Sequence, residues 1–195
     1  MTTVFLISEA KFREFTDVDN NLDTTLIKNA IREAQDIELQ RVLGTNLYQK
    51  LLSDVQSSSL TGNYKTLVDD YVQDFLIYAT YYYSLDSIYL RSRNNGLLIP
   101  NGGENSDSAD RSLYNVKRQN VKNKMEYYSQ RLRNYLIEND GTFPELNSNN
   151  TLYEQNPDYS EQYGSPFVFR KDGYAAEAAK RGIRLYDDRY KQYPQ

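Results

Sequence analysis

The chain has 195 residues, 23 Lys+Arg against 27 Asp+Glu for a formal net charge of −4, and contains no Cys, no His and no Trp. Without Cys, disulfides, thiolate nucleophiles, Fe–S clusters and thiolate zinc sites are excluded. Without His, so are Ser-His-Asp triads, imidazole metal sites and the usual general base near neutral pH. Chemistry based on carboxylates, Lys or Tyr alone stays open, but the composition reads as a non-enzyme with no cofactor. A mildly acidic chain without an arginine-rich stripe offers no large footprint for nucleic acid. No apolar run nears the ~20 residues that span a bilayer, so no membrane contact is expected. "MTTVFLISEA" lacks a basic n-region, so no signal peptide is expected. The length suits one compact domain with room for an appendage.

Val4 to Ile7 read as a short extended segment. Ser8 then caps a brief helix through Phe15, with Ala10, Phe12 and Phe15 as its apolar contacts. After the polar break "TDVDNN", Asn21 or Asp23 caps a clear helix with Leu26, Ala30, Ile31, Ala34 and Ile37 at spacings of three and four. Gly44 ends it where a left-handed residue is wanted, and Thr45 caps the next helix, whose face is Leu47, Tyr48, Leu51, Leu52 and Val55. "QSSSLTGN" is a loop. From Asn63 an apolar pattern runs through Leu67, Tyr71, Phe75, Tyr82 and Tyr89 over a wide arc, which predicts a central buried helix roughly 40 Å long.

"NNGLLIPNGGENSDS" breaks the periodicity. Its Asn-Gly and Gly-Gly turns flank the apolar run Leu97, Leu98 and Ile99, which predicts a small projecting hairpin that touches a neighbour. Asp107 or Ser108 caps a last long helix with Leu113, Val116, Met125, Tyr128, Leu132, Tyr135 and Leu136, and Asp140-Gly141 ends it. "FPEL" is expected to tuck back onto the bundle. The predicted fold class is therefore all-α, a bundle of four to five helices (residues 1–146) with a β-hairpin insertion. Residues 147–195 form a polar, turn-rich, tyrosine-rich C-terminal extension. There is no internal repeat.

Tyrosine is abundant, with 19 copies against 7 Phe. It combines a large apolar ring with a polar handle, and is enriched at interfaces that are dry on one side and wet on the other. Tyr81, Tyr82 and Tyr83 cannot all face one core, because consecutive helix positions point about 100° apart. At least one is expected outward, as a subunit contact. Tyr153, Tyr159, Tyr163, Phe167, Phe169, Tyr174, Tyr186, Tyr190 and Tyr193 lie in a context too polar to form a core alone. They read as anchors of an arm that folds on a neighbouring protein. Asp69, Asp70 and Asp74, like Glu33 and Glu38, read as solvated acidic faces turned to neighbours and not as a metal or acid–base pair. Gly96 to Gly103 matches no phosphate-cradling spacing.

Three stretches carry a resemblance to a known family. They are Ala34-Gln35-Asp36 followed by Leu43-Gly44-Thr45 and Leu47-Tyr48, the Asp70-Tyr71-Val72 to Leu76 helix, and the loop Glu104-Asn105-Ser106-Asp107-Ser108. Over roughly residues 4–146 the chain resembles head–tail connector (ring or adaptor) proteins of tailed bacteriophages, in the form carried by phages of Bacteroidetes, including crAss-like phages. The C-terminal extension departs from that pattern. The resemblance implies a structural virion protein at the portal vertex, assembled in the host cytoplasm. Copies would close into a ring, with twelve expected, on the portal protein; the ring would continue the DNA channel, let DNA pass without sequence-specific binding, and carry the next tail or ring protein. A different stacked ring such as a tail terminator, or a helical interaction or regulatory protein outside the virion, fits the residues as well.

Overall fold

The computed structural model describes residues 3–94, 96–98, 110–149 and 151–158. The fold is all-α, with five helices and one short antiparallel strand pair among the described residues. Helix α1 is Glu9–Glu14; Ser8 caps it by accepting from the Lys11 amide at 3.1 Å. Phe12 is wholly buried, but Ala10 and Phe15 face solvent, because so short a helix presents only one side to the core. Arg13 shapes the loop that follows, donating to the carbonyls of Asp19, Asn20 and Leu22 at 2.7–2.9 Å.

Helix α2 runs over residues 24–43 as an α-helical stretch Thr24–Glu33, a π-helical turn Ala34–Leu39 and a final turn Gln40–Leu43. Asp23 is its cap and accepts from Thr25 N at 2.8 Å. The π turn inserts one extra residue. Upstream the buried positions are Ile27, Ala30, Ile31 and Ala34; downstream they move on by one, to Gln35, Leu39, Val42 and Leu43. Ile37, expected on the core face from α-helical spacing, is carried outward to 52% exposure by that shift.

Helix α3 is Thr45–Gln56 and buries Leu47, Tyr48 and Leu51. Helix α4 spans residues 62–89: Gly62–Leu67, a second π turn Val68–Val72, and Gln73–Tyr89. It is the central helix, buried on several sides through Leu67, Val72, Phe75, Leu76, Ala79 and Leu85. α2 packs on it, and so does α5 (Arg111–Glu138). Between α4 and α5 lies the strand pair β1 (Arg91–Arg93) and β2 (Gly96–Leu98), with Arg91 opposite Leu98 and Ser92 opposite Leu97. The expected hairpin is thus present at its base, while Ile99 lies outside the described residues. Asp110 caps α5, accepting from Arg111 N at 2.7 Å and from the Ser112 hydroxyl; the expected caps Asp107 and Ser108 are outside the described residues.

The two π turns serve one purpose together. Gln35 lies inside the first and Gln73 directly follows the second. The buried Gln35 side chain accepts from Leu6 N at 2.7 Å and donates to Val4 O at 3.1 Å, while Gln73 Nε2 donates to Leu6 O at 3.2 Å. The extended segment before α1 therefore has its peptide groups satisfied by two side-chain amides instead of a sheet, as buried backbone requires.

At the chain's other end Phe143 and Leu146 tuck into the core beneath Tyr64, as "FPEL" leads one to expect. The backbone then stays on the bundle to Asp158. Thr45 N donates to Gln155 O at 3.0 Å and Gln155 N to Thr45 Oγ1 at 2.8 Å; Asp158 N donates to Arg41 O at 2.9 Å; Asn46 N donates to Asn149 Oδ1 at 3.0 Å. Residues 147–158, read from sequence as the start of an arm docking on neighbours, are thus held by their own bundle. Thr45 is the first residue of α3 and not its side-chain cap; its hydroxyl is committed to Gln155 and Gln40.

Gly44 sits at this elbow with φ +76° and ψ 165°, a conformation open to glycine, and a Cβ there would stand 2.9 Å from Pro157 Cδ. Both the backbone and the docked segment exclude a side chain. Gly44→Ala is expected to cost about 2–3 kcal/mol, read as a lower urea midpoint at unchanged slope. An unchanged midpoint would mean that the elbow relaxes freely.

Candidate interaction surface

α4 and α5 run antiparallel along a ladder of tyrosines. Tyr71 stacks on Tyr135 with ring centroids 3.9 Å apart, Tyr78 on Tyr128 at 5.0 Å, and Tyr89 on Tyr114 at 4.2 Å, all within 18° of parallel. The first two rungs are seven residues apart on both helices. Leu85 and Val121, seven further along α4 and seven back along α5, are both buried and fall at the next position. A seven-residue step keeps one helix face turned to its partner. Cations lie over the ring faces: Arg131 is 4.8 Å from the Tyr71 centroid, Arg118 4.7 Å from Tyr82 and Lys124 5.5 Å from Tyr78.

None of Tyr81, Tyr82 and Tyr83 stands in open solvent. Tyr81 is 7% exposed and donates its hydroxyl to Asp17, which also pairs with Lys117. Tyr82 lies under Arg118, and Tyr83 donates to Glu38 Oε1 at 3.0 Å. The outward ring expected among these three is found elsewhere, on Tyr127. Leu97 and Leu98 take part in the strand pair, whereas Tyr159, Tyr163, Phe167, Phe169, Tyr174 and Tyr186 lie outside the described residues.

The acidic residues stay dispersed. Asp69 and Asp70 face solvent, and Asp74 pairs across to Arg131 at 2.9 Å. Glu33 is exposed, and Glu38 pairs with Arg41 at 2.7 Å. Among the described residues no group of three or more acidic side chains could hold a metal ion, and no helix is long and apolar enough to cross a membrane.

Two outward features were not legible from periodicity. The first is the side of α5 opposite its buried residues Val121, Met125, Ser129, Leu132 and Leu136. Leu113 and Val116, expected in the core, lie there at 63% and 59% exposure, with Tyr127 at 66% and Ile137 further along. Asn120, Asn123, Gln130 and Asn134 fill the positions between, so the stripe advances in steps of three and four without a charge. Lys117, Lys124 and Arg131, seven apart, edge it on one side.

The second feature is the loop at residues 151–154. Leu152 and Tyr153 are 104% and 97% exposed, the most open large apolar side chains described. Their backbone is pinned nonetheless. Thr151 N donates to Glu154 Oε2 at 2.9 Å, Glu154 N donates to Thr151 O at 3.1 Å, and Asn149 and Gln155 anchor either flank to Asn46 and Thr45. Exposed apolar groups on an ordered support are a costly surface for an isolated monomer.

The tyrosine hydroxyls that point inward also shape titration. Burial, followed by an acceptor carboxylate, pushes Tyr64 (beside Glu145), Tyr81 (beside Asp17) and Tyr114 (beside Asp86) up to about 12. Tyr48, bonded to Asp36 at 2.8 Å, and Tyr83, beside Glu38, rise further for the same reasons. The Lys117 ammonium, then the Tyr81 hydroxyl, hold Asp17 below the usual carboxylate range.

The sequence profile of one family, described only as a family of unknown function (DUF6712), matches residues 39–156, more than half of the chain. No curated protein and no solved structure matches it.

Because the folded protein holds these tyrosines protonated above the ordinary value near 10, the stability they supply is fully present below pH 10 and is lost as pH rises towards 12 and beyond. Titration followed by tyrosinate absorbance is expected to show two classes. The first ionises near 10, and the second only with the loss of helical circular dichroism. A single class near 10 in a chain that keeps its helices would refute the assignment.

Proposed function

We propose that this chain, which belongs to the DUF6712 family, is a non-enzymatic structural protein of tailed-phage particles. It would be a ring-forming subunit of the head–tail connector that bridges portal and tail and continues the DNA channel. The observation that carries the reading is the set of large apolar side chains standing in solvent on fixed backbone: Leu113, Val116, Tyr127 and Ile137 on α5, and Leu152 and Tyr153 on the pinned loop. An all-α bundle that displays such groups on two separate surfaces is built to be covered by other proteins. Two distinct surfaces suit head-to-tail contacts, which close into rings, better than one self-complementary patch.

The sequence resemblance supports the same reading. Its stretches include the π turn at Gln35, the Gly44–Thr45 elbow and the second π turn at Asp70 to Val72, the places where the fold departs from regular helix. A virion location, the portal as neighbour and a twelve-fold ring come from that resemblance alone.

Peptide mass spectrometry of purified particles that carry this gene is the deciding test. A copy number equal to the portal's, or a small multiple of it, is expected. Absence from particles would remove the virion reading and favour a helical interaction protein of the cytoplasm. Because the bundle's own contacts run to Asp158, deletion of residues 159–195 is expected to leave the bundle folded and its thermal stability intact. Deletion from residue 151 onward, which also removes the strap at Gly44, should lower stability. Equal loss from both deletions would show that the bundle's structure extends past Asp158.

A further inference from the structure

Past Leu146 the chain adds nothing to the core, yet it stays on the bundle as far as Asp158. None of the described residues from Asn147 to Asp158 is buried. What holds this strap is polar and gathered at one place, the elbow where α2 ends and α3 begins. Gln155 O accepts from Thr45 N at 3.0 Å, and Gln155 N donates to Thr45 Oγ1 at 2.8 Å. Asn149 Oδ1 accepts from Asn46 N at 3.0 Å, while Ser148 O and Ser148 Oγ accept from Asn46 Nδ2 at 3.0 and 3.1 Å. Asp158 N donates to Arg41 O at 2.9 Å. The Asp158 carboxylate also lies 3.9 Å from the guanidinium of buried Arg133, an ion pair too long to be a hydrogen bond. Pro157 fills the space that a side chain at Gly44 would take.

These contacts stand in for local caps. No side chain caps the start of α3, because Gly44 precedes it. The first amides of a helix need acceptors from outside it, and Thr45 and Asn46 find theirs on the strap. At the end of α2 the Arg41 carbonyl is met in the same way, by Asp158 N. One segment thus completes two helix ends at once.

We propose that residues 148–158 form a latch that opens as one unit while the bundle stays folded, and that its opening uncaps α3 and loosens the α2–α3 elbow. Resistance to local opening comes chiefly from buried apolar contacts. The strap buries no residue, so releasing it brings little apolar surface into water. Its hydrogen bonds sit at its two ends, Ser148 and Asn149 on one side and Gln155 and Asp158 on the other. While one end is bound, the other is kept close and re-forms readily; once both let go, the loop is free. Release stops at Phe143 and Leu146, which are buried in the core. Leu152 and Tyr153 stand between the two ends, so a load on these side chains bears on the elbow, 110 residues before Gln155. The latch is a property of the single copy and does not depend on the ring reading.

The test is native-state hydrogen exchange of the full chain, followed residue by residue by NMR. The amides of Thr45, Asn46, Gln155 and Asp158 are expected to share one protection factor, at least about 100-fold below that of Phe75 and Leu76 in α4. That shared value should respond little to low concentrations of urea, because little surface is exposed on opening. Asn149→Ala removes the acceptor of Asn46 N and should speed exchange at all four amides by the same factor, about five- to tenfold, with α4 unchanged. Asn149→Asp keeps an acceptor there and should stay within about threefold of wild type. If Asn149→Ala speeds Asn46 alone, or none of the four, the strap does not open as a unit and the proposal is overturned. Exchange of all four amides as slowly as the α4 core overturns it too, since the strap would then open only with the whole fold.

Discussion

The burial of α4 is the constraint from which most of the structure follows. A 28-residue central helix must find apolar cover on several sides, and no single partner helix can supply it. α2 covers one flank and α5 another, and the register of α5 is set by rings rather than aliphatic knobs. Tyrosine suits this seam because its ring packs like phenylalanine while its hydroxyl ends at the protein's edge and reaches a carboxylate there. Tyr64, Tyr81, Tyr83 and Tyr114 do so, each bonded to an acid on a different element. Each stacked pair adds roughly 0.5–1.5 kcal/mol beyond its burial. The abundance of tyrosine is thereby accounted for largely within the bundle.

A helix with 3.6 residues per turn drifts away from a partner that demands a fixed face, and an inserted residue resets it. Both π turns act in this way. In α2 the reset moves the core face from Ala34 to Gln35 and Leu39 and expels Ile37. In both helices it leaves a glutamine aimed at the backbone of the same residue, Leu6. Spacing alone could not reveal this, because a period of three and four residues run through the insertion assigns Ile37 to the core and both glutamines to the surface. The stretch Ala34-Gln35-Asp36 entered the sequence reading only as part of the family resemblance.

Other elements were legible in proportion to how local their causes are. The Ser8 and Asp23 caps, the Gly44 break, the turn after Asn139 and the buried "FPEL" depend on a few adjacent residues, and the sequence discloses them. Thr45 depends on Gln155, 110 residues later, so its reading as an ordinary cap had no local contradiction. α5 poses a different difficulty. It carries apolar residues on two faces, and periodicity finds both without saying which one is the core. Leu113 and Val116 satisfy helical spacing as well as Val121 and Met125 do. Only the placement of the tyrosine rungs decides between them, and those pair α5 with a helix that ends some twenty residues before it begins.

Under the connector reading proposed above, that second face also bears on how a mildly acidic protein would wall a DNA channel. Strong phosphate binding would retard a sliding duplex, so lysines and arginines near a lumen are best neutralised or turned aside. α5 is the most basic helix described, yet Lys117, Arg118, Lys122 and Arg131 each meet a carboxylate of the same copy. Exposed pairs of this kind contribute little to stability, on the order of 0–1 kcal/mol each. Their larger effect is on the field, since they neutralise cations beside an outward stripe that is itself uncharged, at whose edge Lys124 has no ion pair among the described residues. Such a face is poorly suited to gripping phosphate along its length.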